Sequence, residues 1–418
     1  MSLRLNVATN TFYQLLGKFS TTLGTLITTV FITRVLGADK FGDYSIVLSY
    51  VTPLFIISDF GINAIIAREF SRNEDRISTH FKSVLLLRIL IGIILMLLGF
   101  FILPFMGYSA VVVNSIAIGL FLVLTQSIFG ACNVVFQTKL SYKFPALGQI
   151  ISSVASVLLV YLAIRLGFGV FGVVFGFVAA NFFMPLISLY FIRNYIKKET
   201  KIIDFTYWKD TLKKSFPLGT ALILNVFMVA SDRIVLSIMS EPVSVGIYSL
   251  AYKIFDVVLV LPTFFMNVMY PILVKSHKNS HIAFNNSLSF SLSVMFVSYL
   301  VISLPILFIS KPLIPLIWGE DMSFSYQPLL VLMLGSLFFF MTSPFTWASV
   351  VKNKQRYLPL IYGSGFLFNL LLNIVFIPRY DYMASAFATI VTELLVLVAV
   401  IFLLVNKGNI KFRLTFKL

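Results

Sequence analysis

The stretch RNYIKKETKIIDFTYWKDTLKK, Arg193 to Lys214, is the longest hydrophilic run in a chain of 418 residues and falls almost at its midpoint. On both sides of it the sequence is apolar. Hydrophobic residues make up 59% of the whole and charged residues only 11%, with a mean hydropathy of +0.96. Soluble domains run near roughly 45–50% apolar and about 25% charged, so a soluble fold would have nowhere to bury this much apolar surface. Runs close to the roughly 20 residues that cross a bilayer core recur along the chain and predict an all-α polytopic membrane protein. Twelve spans are expected, at 11–33, 43–66, 83–106, 110–135, 145–165, 169–192, 215–239, 247–273, 287–309, 327–350, 357–377 and 383–405. The hydrophilic run then separates six from six: an N-terminal six-helix bundle over 1–195, a cytoplasmic linker over 196–214, and a C-terminal six-helix bundle over 215–418.

The halves carry a faint repeat. FGDYSIVLSY (41–50) and VGIYSLAYKI (245–254) each open the second span of a half, and Gly42, Tyr44 and Ser45 align with Gly246, Tyr248 and Ser249. Two parallel repeats with an even number of spans are related by an axis along the membrane normal, an organisation found in secondary transporters.

Lysine and arginine orient the chain, because short cytoplasmic loops carry the excess of positive charge. The N-terminus, the even-numbered loops and the C-terminal tail hold 23 of the 32, the odd-numbered loops hold 5, and the remaining four lie within spans. Both termini are therefore expected in the cytoplasm. The net charge of +16 is accounted for by this topology signal rather than by nucleic-acid binding. The basic tail NKGNIKFRLTFKL can in addition touch anionic membrane lipid.

Other patterns narrow the chemistry. One cysteine, Cys132, excludes an internal disulfide, and no Cys/His set has metal-ligand spacing, so neither metal nor cofactor is expected. His80, His277 and His281 fall in expected cytoplasmic loops. No G-x-x-x-x-G-K-[ST] loop appears, so the sequence carries no P-loop ATPase. The outward loops are short, which disfavours a membrane glycan polymerase or ligase.

Four phrases carry a resemblance: TRVLGADKFGDYSI (33–46), DFGINAIIARE (59–69), ASDRIVLSIMSEPVSVGIYSLAYKI (230–254) and NLLLNIVFIPRYDYMASAFAT (369–389). They resemble the polysaccharide-exporter branch of the multidrug/oligosaccharidyl-lipid/polysaccharide superfamily, and the O-antigen flippases most. Asp381 and Ala384 stand where that family often has glycines. The resemblance implies a MATE-like pair of six-helix bundles in a bacterial inner membrane. The implied cargo is an undecaprenyl-diphosphate-linked oligosaccharide, with a proton or sodium ion as coupling ion and polysaccharide polymerase machinery as a partner. A cation-coupled multidrug exporter of the same superfamily is the alternative.

Ionisable residues inside spans are costly and are functional candidates by default. Lys18 and Arg88 lie toward the expected cytoplasmic side, where a diphosphate would enter; Arg88 can instead pair with Asp59. Arg233 is a candidate for the same cargo late in the crossing. Asn369 and Asn373, four apart on one helix face, are candidates for sugar hydroxyls or for joining helices. Asp59, Asp232, Lys253, Asp256 and Glu393 are candidates for gating or ion coupling. Lys253 and Asp256, three apart, can pair on one face, whereas Asp232 and Arg233 are adjacent and diverge around the helix.

Overall fold

The computed structural model describes residues 3–73, 75–196 and 203–408. Linker residues 197–202 and the basic tail from 409 onward lie outside the described residues. All regular structure among those described is helical. Eleven of its helices are long and apolar enough to cross a membrane, against twelve expected. The difference lies in the first, Thr9–Ser71, which runs 63 residues, about 95 Å at the helical rise and roughly three times a bilayer core. Within it Gly37, at φ 81° and ψ 177°, leaves helical backbone, so two rods meet there.

The chain divides into two compact units, Met1–Val226 and Phe227–Leu418. The first contains α1 (Leu3–Ile57), α2 (Ile62–Arg72), α3 (Asp75–Ile102), α4 (Ala110–Gly119), α5 (Phe121–Thr138), α6 (Lys143–Arg165), α7 (Gly169–Asn181) and α8 (Phe183–Ile192). Pro185 accounts for the break between α7 and α8: it lacks an N–H and its ring crowds the carbonyl four residues back, which is Asn181. Helix α9 (Phe205–Met239) begins in the first unit and ends in the second. The division falls inside it, beyond the expected bundle start at 215, because its leading half packs on the first unit. Tyr207, Trp208 and Leu212 join the core formed by Ile66, Phe81 and Phe136. Trp208 Nε1 donates to Ser83 O at 3.0 Å, and Tyr207 stacks on His80 at 4.2 Å between ring centroids. His80 is thus a packed ring on α3 rather than a loop residue, since α3 begins before the hydrocarbon-length run does.

Small residues set the closest approaches within the first unit. Gly17 and Gly24 of α1 face Gln149 and Ser153 of α6, and Ser153 Oγ donates to Ser20 O at 2.7 Å. The chain between α1 and α2 leaves the helix at Phe60 (φ 43°) and Gly61 (φ 70°). A Cβ on Gly61 would stand 3.1 Å from Leu218 and 3.2 Å from the Gly219 nitrogen. Gly61→Ala is expected to lower the thermal midpoint by strain of about 1–2 kcal/mol plus the contact. Gly107→Ala, with φ 71° and nothing within 4 Å of the added Cβ, carries the strain alone. Equal shifts for the two variants would show that packing on α9 contributes nothing.

The second unit contains the end of α9 with α10 (Pro242–Asn279), α11 (His281–Trp318), α12 (Tyr326–Val351), α13 (Leu358–Tyr380) and α14 (Tyr382–Gly408). Its core joins Met266 and Leu273 of α10, Phe284 and Leu292 of α11, Phe345 of α12 and Val400 of α14. Ser336 Oγ of α12 donates to Ser303 Oγ of α11 at 2.9 Å, a buried hydroxyl pair between apolar helices. α10 and α11 each run 38 residues, well past the expected spans 247–273 and 287–309. Only Ser280 separates them, extended at φ −166°, its hydroxyl accepting from Ala283 N at 3.0 Å as an N-cap. His277 and His281 therefore flank a one-residue joint instead of lying in a loop: hydropathy registers the lipid-immersed stretch, and the helices continue beyond it.

Candidate functional site

In the first unit the break after α1 places Asp59 where helical hydrogen bonding lapses, and α3 brings Arg88 to it. Arg88 Nη1 is bonded to Asp59 Oδ1 and also donates to Asn63 Oδ1 at 3.1 Å. The guanidinium is almost fully enclosed, at 2% side-chain exposure, while the carboxylate keeps 27%. Gly130 of α5 makes room for it, since a Cβ there would lie 2.5 Å from Arg88 Nη2. The expected candidates Arg88 and Asp59 are thus brought together as an ion pair, the arrangement that competes with phosphate contact. Asn63 and Gly130 were not singled out from sequence; an amide one helical turn from Asp59 was the available signal.

Lys18 stands apart from this pair, exposed on α1. Thr11, Gln14, Lys18, Thr21 and Thr25 recur every three or four residues and so share a face. Thr11, Gln14 and Lys18 are exposed, while the hydroxyls of Thr21 and Thr25 donate back to Lys18 O and Thr21 O, each at 2.9 Å. A polar stripe of this kind along a span suits a face that borders water.

The second unit gathers most of the other candidates. Asp232 of α9 is 1% exposed. Its Oδ2 accepts from Tyr248 OH of α10 and from Thr389 Oγ1 of α14, the latter at 2.7 Å. Its Oδ1 is buried with no hydrogen-bond partner among the described residues. Immediately before it Ser231 Oγ donates to Asn369 Oδ1 at 2.7 Å, and Asn373 Nδ2 donates to the same oxygen at 3.0 Å. Ser385 Oγ of α14 then donates to Asn373 Oδ1 at 2.8 Å. One polar network thereby ties α9, α10, α13 and α14 together through apolar surroundings. Asn369 and Asn373 are buried in it and link α13 to α9 and α14. Tyr248, Ser385 and Thr389 were missed as site residues, although Tyr248 lies in the repeat phrase.

Arg233 diverges from Asp232 as the helical geometry requires, and its guanidinium lies over the Tyr252 ring, 4.6 Å from the centroid. Asp256 is within electrostatic range of Arg233 and of Lys253, so these three form a charged group on α9 and α10. Glu393 of α14 is buried and within hydrogen-bonding reach of Thr342 on α12. Among the described residues no group of three or more His, Cys, Asp or Glu is placed to hold a metal ion. The oxygen donors around Asp232 can instead receive a proton, or a monovalent cation held by one carboxylate and neutral oxygens.

Comparison with known proteins now bears on these arrangements. A family model described as "Polysaccharide biosynthesis protein" matches residues 7–277. No curated protein matches the chain. Among solved structures, the lipid II flippase MurJ in an inward closed conformation superposes with a TM-score of 0.79 at 18% identity, covering 96% of this chain and 88% of that one. An inward-facing multidrug resistance MATE family transporter of the MOP superfamily gives 0.70 at 14%, covering 91% and 92%. A MOP superfamily transporter from Pyrococcus furiosus gives 0.64 at 13%, covering 94% and 93%. At these identities the likeness is one of fold.

Proposed function

The chain belongs to the polysaccharide biosynthesis protein family, and from that premise we propose that it is a flippase. Its cargo is an undecaprenyl-diphosphate-linked oligosaccharide, an O-antigen unit or a related surface polysaccharide repeat, moved across the bacterial inner membrane by alternating access. The observation that carries the reading of an anionic cargo is the polar face of α1 with Lys18 exposed on it. A cation on a span is retained against a cost of about 2.5–3.5 kcal/mol near the bilayer centre, and a diphosphate is a partner that offsets such a cost. Arg233 offers a second cation, a guanidinium, for the same group in the second unit. The buried carboxylate of Asp232, with one oxygen unpartnered, supports coupling to a proton or sodium gradient.

The test is transport by the full chain reconstituted in vesicles, using a fluorescent undecaprenyl-diphosphate oligosaccharide and following the fraction that reaches the opposite leaflet. Lys18→Gln is expected to lower the initial rate at least tenfold at unchanged reconstitution yield, with Lys18→Arg restoring most of it. A wild-type rate in Lys18→Gln would remove Lys18 from the cargo path. The buried carboxylates Asp232 and Glu393 favour the multidrug exporter as the second reading, in which cationic dyes, and not the diphosphate lipid, would be moved.

A further inference from the structure

In the second unit the turn between α13 and α14 carries a carboxylate that belongs to neither charged site. Asp381 has φ 49° and ψ −136°, a conformation that glycine takes freely and that an L side chain holds only under strain. The strain keeps a carboxylate at the end of the unit that the lysine and arginine count assigns to the outward side. Ser244 Oγ, in the first turn of α10, donates to Asp381 Oδ2. Asp381 Oδ1 is buried and has no hydrogen-bond partner among the described residues. Tyr382 lies within electrostatic range of it. The charged groups at this end of the unit are Glu241 just before α10, Lys311 of α11, Glu320 and Asp321 just before α12, and Arg379 of α13. With Asp381 they make four carboxylates against two cations, a local negative excess in a chain whose net charge is +16. Such an end concentrates cations.

Polar oxygens lead inward from it. Four and eight residues beyond Asp381, Ser385 and Thr389 share one face of α14, the second about 12 Å along the axis. Four residues beyond Ser244, Tyr248 lies on the corresponding face of α10. Thr389 Oγ1 and Tyr248 OH stand 3.2 Å apart, and both donate to Asp232 Oδ2. Asp232 is itself 1% exposed with Oδ1 unpartnered among the described residues. A line of hydroxyls thus joins one open carboxylate oxygen at the outward end to another in the interior.

We propose that Asp381 takes up the coupling cation from the outward side and delivers it along Ser385, Thr389 and Tyr248 to Asp232. The inference rests on the coupling proposed for Asp232 and adds its entry route. A sodium ion on this route exchanges one set of oxygen contacts for the next. A proton moves by each hydroxyl accepting one and giving up its own to the following oxygen.

The test is transport by the full chain in vesicles, with the outward proton or sodium concentration varied alone. Asp381→Asn keeps an oxygen for Ser244 and removes the charge. It is expected to raise the half-saturating outward ion concentration about tenfold, the lower end of what a like-signed field contributes to ion capture. The maximal rate at saturating ion, the response to ion on the inward side and the thermal midpoint are expected to stay at wild-type values. Asp381→Gly removes strain and carboxylate together, so it is expected to melt no lower than wild type and to show the same rise. A carboxylate that only tethers the turn predicts wild-type ion dependence in Asp381→Asn, and that result would overturn the proposal. A rate lowered in equal proportion at every ion concentration would overturn it too. Glycan transport indifferent to both ions sinks the entry route and leaves the flippase reading standing. Ion uptake that depends on Asp381, read by a dye inside the vesicles without any glycan transport, sinks the flippase reading and leaves the route.

Discussion

Asp232→Asn is expected to abolish stimulation of transport by an imposed proton or sodium gradient, a loss of roughly 5–150-fold if the coupling energy is typical, in a protein that inserts and melts like the wild type. Asparagine retains an oxygen able to accept from Tyr248 and Thr389, so the network across α9, α10 and α14 persists while the charge is gone. Asp232→Ala separates the two roles, because it also removes the acceptor. Thr389 can then turn to Ser385 O, 2.9 Å away, but the Tyr248 hydroxyl keeps only Thr389 Oγ1, at 3.2 Å. Losing both hydrogen bonds that the side chain accepts costs about 0.5–1.5 kcal/mol each, so alanine is expected to lower the thermal midpoint where asparagine does not. Transport in vesicles with and without each gradient is the measurement. Gradient stimulation surviving intact in Asp232→Asn would take this carboxylate out of any coupling scheme.

The second large effect concerns the pair in the first unit. Removing one partner of a buried ion pair costs about 3–5 kcal/mol, because the other charge is left uncompensated. The two deletions are not equivalent here. Asp59→Ala strands a guanidinium that is 2% exposed, whereas Arg88→Met leaves a carboxylate that is 27% exposed and can hydrate. Asp59→Ala is therefore expected to sit near the full penalty and Arg88→Met well below it, with a substantial coupling term in the double-variant cycle. Thermal unfolding in detergent measures all three. Wild-type midpoints in both single variants would show that the pair does not brace the break between α1 and α2. Cargo affinity unchanged in Arg88→Met, at lowered stability, is the companion expectation that separates bracing from phosphate contact.

Much of this architecture was readable from composition and periodicity, for identifiable reasons. The spans follow from runs of apolar residues, and the long hydrophilic stretch near the midpoint marks the interval between the groups of helices. The turn at Phe60 and Gly61 was not readable, since apolar residues continue through IISDFGINAII and an expected span crossed it unbroken. What breaks the helix is a pair of positive φ angles next to a close approach of Gly219, a contact far away in sequence. The repeat phrase shows a similar limit. Tyr44 and Tyr248 occupy matching positions and are both fully buried. Yet Tyr44 meets the edge of Phe177 at 6.4 Å, whereas Tyr248 bonds Asp232. The shared Gly-x-Tyr-Ser thus goes with burial of the tyrosine in both halves, while the bond to a carboxylate at Tyr248 depends on what the neighbouring helix presents. The divergence of Asp232 and Arg233 was foreseeable from helical geometry; the partners Thr389 and Tyr252 were not.

The single residue between α10 and α11 bears on how this sequence can change over generations. Ser280 is the whole connection, so the joint has almost no slack in which to absorb a gained or lost codon. A length change taken up by α11 would turn that helix about 100° around its axis for each residue, carrying the buried Ser287 and Ser291 from the interior toward lipid. Point substitutions at this joint are therefore far easier to accommodate than insertions or deletions, and family members should keep its length more strictly than its residue identity.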